Sequence, residues 1–273
     1  MKDSGIKVRL DEMSWPDVKQ LLTKPHAVIL PIGSTEEHGA HLPLNVDSSA
    51  ATYIAENAAR KVKGEHSFEV LVAPTIDYTD VSPHRMFPGT IGVKLDTFIK
   101  VVVDIIEAFL DQGFKNIIAL SGHLENNSPL EVAVRMVKER RPEANLFAVT
   151  SVHGLGFDAM PGLVKAVPAG MGHALEVETS FSLVIEPQNV HLEKTIQGHR
   201  KLPLSTRYIG LTGEDKNKGI LYCSGIEESQ ESGTSGDPTL ASREAGEKVL
   251  SAMINDLADI LIQVVAKQDK SGF

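Results

Sequence analysis

The stretch Ala27-Val28-Ile29-Leu30-Pro31-Ile32-Gly33-Ser34-Thr35-Glu36-Glu37-His38-Gly39-Ala40-His41-Leu42-Pro43 decides how the chain is read. Its first six residues form a continuous apolar run, the pattern of a strand buried on both faces, and Gly33 ends it. The pattern recurs downstream, where Asn116-Ile117-Ile118-Ala119-Leu120 leads into Ser121-Gly122-His123-Leu124-Glu125-Asn126-Asn127. In a parallel sheet both polar segments would leave at the carboxyl edge, where α/β proteins place their ligands.

Around these two strands the hydrophobic rhythm alternates between strand and helix. Asp47 reads as the cap of a helix running to about Lys61, with Ala51, Ile54, Ala55 and Ala58 on one face. Residues 70–73 read as a strand, and residues 96–110 as a strongly apolar helix closed by Gly113. A helix over 129–140 and a strand over 146–150 follow, and the apolar stretch 173–185 suits a core helix. Asp237 and Pro238 open a long closing helix that reaches about Lys267. This alternation predicts an α/β fold of three layers, helix on sheet on helix, with a mainly parallel sheet. With no repeat, linker or low-complexity block, residues 1–273 are expected to form one domain, and residues 229–236, rich in Ser and Gly, are its expected mobile loop.

Composition narrows the partners. The chain has 273 residues, 42% of them hydrophobic, and a net charge of −9 with no Lys/Arg-rich stripe, which argues against nucleic acid. Residues 1–25 lack the apolar segment of a signal peptide, and no apolar run looks long enough to cross a bilayer, so a cytoplasmic protein with no membrane partner is expected. Cys223 is the lone cysteine; it can form no internal disulfide and, without a basic neighbour, reads as passive.

Five residues in the two strand-end segments suit metal ligation: Glu36, His38, Asp47, His123 and Glu125. Three carboxylates and two imidazoles fit zinc first, with manganese or iron as alternatives. A single zinc site needs about three protein ligands, so five, with one carboxylate free to bridge, point to two cations. Three carboxylates and a shared hydroxide would balance their charge.

At these residues the chain resembles the creatininase family of metal-dependent amidohydrolases. The matching stretches are residues 31–43 with Asp47, Phe87-Pro88-Gly89-Thr90, residues 121–126, residues 173–180 and Gly236-Asp237-Pro238-Thr239, in the family's order and over nearly the whole chain. The resemblance implies hydrolysis of an amide C–N bond in a small cyclic or formylated compound, with a hydroxide shared by the two cations as nucleophile. It also implies that His173, just before Glu178-Thr179-Ser180, is the catalytic proton donor, with Glu125 guiding the proton of the water. Imidazole suits proton transfer near neutral pH. A ring-like homo-oligomer, commonly a hexamer, is implied as well. Relatives that deformylate a purine-derived ribotide, process a peptide, or open the ring of an oxidised inositol keep other substrates open, the last by C–C cleavage beside a ketone. Creatininase itself holds its substrate against tryptophans shortly before the catalytic histidine. Residues 148–172 contain none here, and the one tryptophan is Trp15, so creatinine is not the expected substrate.

Other residues admit plainer roles. His41 is either a further ligand or a support of its own loop, and His84 is a candidate substrate contact. Glu37 should face solvent if its segment is extended. Ser34 and Ser121, outside any nucleophile elbow, read as hydrogen-bonding supports. One of Glu176 and Glu178 should face the site. A non-catalytic metal-dependent assembly protein would be expected to have lost a ligand or the proton donor, yet all six positions are filled. A nucleotide-binding protein would need a glycine fingerprint that is absent.

Overall fold

The computed structural model describes residues 5–165, 172–198 and 232–271. Cys223 and residues 229–231 of the expected loop lie outside them.

The described chain begins with a short helix α1 (Trp15–Leu21) and strand β1 (His26–Ile32). Helix α2 (Val46–Glu65), β2 (Glu69–Val72), α3 (Leu95–Asp111), β3 (Asn116–Ser121), α4 (Asn127–Arg140) and β4 (Asn145–Val149) follow. Two helices close the chain, α5 (Glu176–Ile185) and α6 (Arg243–Ser271). All sheet pairings are parallel, in the order β2-β1-β3-β4, with Ile29 opposite Val72 and Ile118, and Ile32 opposite Ser121. Parallel order requires a crossover after each strand, and α2, α3 and α4 supply these.

Alternate side chains of the central strands feed two cores. Ala27 and Ile29, Val70 and Val72, Ile118 and Leu120 pack with α2, α5 and α6; Val28, Leu30 and Ile32, Leu71, Ile117 and Ala119 pack with α3 and α4. The three-layer α/β/α expectation therefore holds. Truncating a fully buried centre such as Ile29 or Ile118 to Ala would cost about 2–5 kcal/mol. Pro31 is tolerated near the end of β1 because its carbonyl accepts from Ile76 N–H at 3.0 Å, on the side where β2 has already ended.

Three expectations need correction. Asp47 does not cap α2: it lies within the first turn, after Asn45, and its carboxylate turns inward to side chains. Asp237 accepts from Thr239 N–H at 2.9 Å and so caps a short 3-10 turn, Pro238–Leu240, while α6 begins only at Arg243. Residues 243–266 do reach bilayer-spanning length and apolarity, contrary to the sequence reading; yet half of that segment is buried, with Val249, Met253, Leu257 and Leu261 in the core beside α2 and α5. That is the packing of a core helix.

Candidate metal centre

Because Ile32 and Ser121 are paired neighbours, the loops that follow β1 and β3 emerge side by side. The start of α2 docks between them. Added Cβ atoms on Gly33 and Gly122 would collide with the backbone of Ser48 and the carbonyl oxygen of Asp47, so the close approach requires glycine at both positions. Asp47 then stands between two histidines: its Oδ1 is 3.2 Å from His38 Nε2, and its Oδ2 is 3.0 Å from His123 Nδ1 while accepting from Ser34 Oγ at 2.7 Å. His123 Nδ1 is also 3.1 Å from Glu36 Oε2. Glu36, His38, Asp47 and His123 are all buried. Glu125 lies on the other side of His123, with Oε2 at 3.4 Å from Nε2, and its side chain is 34% exposed, so it faces the mouth of the site. Ser121 Oγ supports the loop by donating to the His123 carbonyl and accepting its N–H.

Glu36 is the most telling member of the cluster. It is fully buried, yet neither carboxylate oxygen accepts a hydrogen bond among the described residues. Burial raises its pKa, opposed by the imidazoles of His123, His84 and His173. His38 gives the complementary sign: burial opposes its charge, but Asp47, Glu178 and Glu36 outweigh it and lift its pKa to about 10. Its Nδ1 faces the Glu36 carbonyl at 3.1 Å, leaving Nε2 directed at the carboxylates. A buried cluster of acids and imidazoles of this kind fits divalent cations, which displace the protons such groups would otherwise hold. Glu36, Asp47 and His123 present ligand atoms within 4.8 Å of one another, and so do His38, His173 and Glu178, and Glu36, His84 and His173.

The segment ahead of α5 supplies the opposite wall. Ala174 adopts a left-handed φ of 55°, a conformation that costs a non-glycine residue about 1 kcal/mol, and its N–H donates to Glu178 Oε2 at 2.6 Å. His173, just before this turn, lies with its ring centroid 4.4 Å from His38 and 4.2 Å from His84. Its backbone is held by Ser235, which donates N–H to the His173 carbonyl at 3.0 Å and accepts the His173 N–H on Oγ at 2.9 Å. The described part of the expected mobile loop is thus pinned to the site. Of the two acids in α5, Glu178 faces the centre, 4.0 Å from His38 Nε2, whereas Glu176 accepts from Lys165 N–H at 2.9 and 3.0 Å. His153, which sequence reading passes over, brings Nε2 to 3.6 Å from Glu178 Oε1.

Glu37 is a correction. It is buried, not solvated, because the chain after Gly33 curls instead of extending: Gly39 turns at φ 68° and donates its N–H back to Glu37 Oε2 at 2.8 Å. Its Oε1 lies 2.8 Å from His84 Nδ1 and 3.0 Å from His173 Nε2. Burial works against this carboxylate, but the hydrogen bonds from both imidazoles prevail and hold its pKa far below the usual range. His41 joins loop to helix through Nε2, 2.9 Å from Thr179 Oγ1, and burial pushes its pKa down to about 4, so it stays neutral.

A parallel α/β sheet carrying a buried carboxylate–histidine centre at its carboxyl edge is a frame that can carry metal-assisted hydrolysis. The creatininase family model, described as creatinine amidohydrolase, matches residues 11–261, and the chain belongs to that family. The chain is 27% identical to the mycofactocin precursor peptide peptidase of Mycobacterium tuberculosis, over 90% of its own length and 88% of the relative's. It is 26% identical to the 3-dehydro-scyllo-inosose hydrolase of Thermotoga maritima, over 95% and 84%. To the creatinine amidohydrolase of Pseudomonas putida it is 24% identical, over 93% and 96%. Among solved structures, a manganese form of creatininase superposes with a TM-score of 0.79 at 21% identity, covering 94% of this chain and 98% of that one. A zinc–zinc form of a creatininase variant gives 0.76 at 20% identity, covering 94% and 98%.

Proposed function

We propose that this chain is a dinuclear metal-dependent amidohydrolase that cleaves a C–N bond in a small cyclic or formylated compound. The observation that carries the proposal is Glu36: a fully buried carboxylate, without a hydrogen bond among the described residues, faced by histidines and beside Asp47. Glu36, Asp47 and His123 would hold one cation, and His38, Asp47 and Glu178 the second, with Asp47 shared. Glu125 stays in the ligand set expected from sequence, and its place at the mouth also suits it to guide a proton. Zinc is favoured for the mixed donors, with manganese or iron as alternatives.

Bound there, two divalent cations would activate a water and offset the charge that develops on a carbonyl oxygen. The remaining work falls to the chain. His173 presents Nδ1 inward, 3.5 Å from Glu36 Oε1, and this atom would take up the proton that Glu125 guides from the attacking water and pass it to the leaving nitrogen. Glu125, one-third exposed, would receive the proton of the attacking water at the entrance. Similarity to the inosose hydrolase supports a second reading, C–C cleavage beside a ketone with the same groups acting on a different electrophile. By family resemblance we further propose a homo-oligomer, a hexamer by preference.

The test pairs composition with chemistry. Elemental analysis should find up to two transition-metal ions per chain in the wild type and none in Asp47→Ala; full occupancy in that variant would sink the assignment. The zinc-loaded protein should hydrolyse at least one of hydantoin, dihydrouracil and N-formylglycine faster than creatinine. Ring opening of a keto-inositol with all three amides untouched would replace the first reading by the second.

A further inference from the structure

We propose that Glu37 is a positioning residue that sets which nitrogen of His84 and of His173 carries the hydrogen. The inference rests on the reading of His173 as proton donor. A carboxylate offers only acceptors, so two imidazoles that approach one of its oxygens must each present an N–H. Glu37 Oε1 meets His84 at Nδ1 and His173 at Nε2, at 2.8 and 3.0 Å. In the neutral rings the opposite nitrogens keep their lone pairs, and both look toward one atom: His84 Nε2 is 3.3 Å and His173 Nδ1 3.5 Å from Glu36 Oε1. Two tilted rings, 4.2 Å apart, therefore span the gap between an outer acid and an inner one.

The outer acid is itself immobilised. Its Oε2 accepts the Gly39 N–H at 2.8 Å, its backbone N–H donates to Thr90 Oγ1 at 2.9 Å, and a Cβ on Gly233 would collide with the carboxylate. An acid serving only to neutralise charge needs no such clamp. The Gly39 N–H also explains why an amide cannot substitute: in Glu37→Gln, with the amide oxygen held toward Gly39, an NH2 donor would face the histidines and reverse the hydrogen placement. The outer carboxylate that orients a functional imidazole is a recurrent device around metal centres.

Long-range proton–nitrogen NMR of zinc-loaded protein labelled with nitrogen-15 in histidine reads the placement directly. His84 should appear as the Nδ1–H form and His173 as the Nε2–H form, and Glu37→Gln should shift both nitrogens of each ring toward the opposite form while keeping its zinc by elemental analysis. A wild-type spectrum with His84 as Nε2–H would overturn the proposal even if Glu37→Gln fails to fold, and so would unchanged forms in a folded variant. Failure of the underlying reading looks different. His173→Asn hydrolysing the three amides at the wild-type rate, with the wild-type hydrogen placement at His84 intact, would remove the proton-donor role and leave the positioning in place.

Discussion

Gly122 lies so close to Asp47 that a single added methyl would overlap the Asp47 carbonyl oxygen. Backbone, not a flexible side chain, forms the obstacle, so relief requires α2 to retreat from the end of β3. Gly122→Ala should therefore lower stability by about 1–3 kcal/mol, the usual penalty of overpacking, and loosen metal binding with it. Urea unfolding and elemental analysis of the variant check both effects; wild-type values for each would show that the docking of α2 is softer than argued.

His173→Asn separates proton transfer from assembly of the centre. Turnover should fall about 10²–10⁴-fold, the usual contribution of a positioned acid or base, while metal content and fold remain. Steady-state kinetics on whichever panel amide the wild type hydrolyses provide the check, and undiminished turnover would refute the role.

His26 makes stability depend on pH at a distance from the centre. It is buried at the start of β1, with Nδ1 2.7 Å from the Lys24 carbonyl and Nε2 accepting the Lys115 N–H at 3.2 Å. Burial lowers its pKa, opposed by the Lys24 carbonyl and aided by the Lys115 charge. The folded state thus binds the proton more weakly than the unfolded chain, whose histidine titrates at about 6.5. Stability from this neutral form is complete above that value and is lost as pH falls through it toward the lower folded pKa. The difference in unfolding free energy between wild type and His26→Gln, both at matched metal load, should shrink between about pH 7.5 and about pH 5.5. A constant difference would exclude the linkage.

Light scattering should return a mass well above the 29.6 kDa of one chain, with a sixfold multiple preferred. A monomeric mass at assay concentration would reject the oligomer.

The sheet and its crossover helices are legible in the sequence because short apolar runs and helical periodicity are local properties, and they place β1 and β3 to within a residue or two. Glu36, His38, Asp47 and His123 can be gathered for the same reason: each follows a strand or opens the next helix, so the topology alone brings them to one edge. Glu37 escapes the sequence reading because alternation presumes an extended chain, and the curl at Gly39 removes that premise. Asp47 resembles a cap because an acid beginning a helix usually is one; here tertiary partners outbid the backbone amides. His153 and Ser235 carry almost no local signal. They reach the site through irregular segments far apart in the chain, Ser235 beside the Gly236-Asp237-Pro238-Thr239 match that is its only hint.

The separation between Glu36 and Glu178 along the chain carries a kinetic meaning. One wall of the centre forms with β1, and the other waits for α5, which packs on α2 and α6 from the far end of the sequence. Contacts between such distant segments form late, because the closure entropy must be met before they contribute. A chain stalled before α5 docks would keep Glu36 and Asp47 but lack Glu178 and His173. Under the proposed assignment, tight retention of metal would then mark the end of folding, and a pulse of metal supplied during refolding would be captured only as fast as α5 settles.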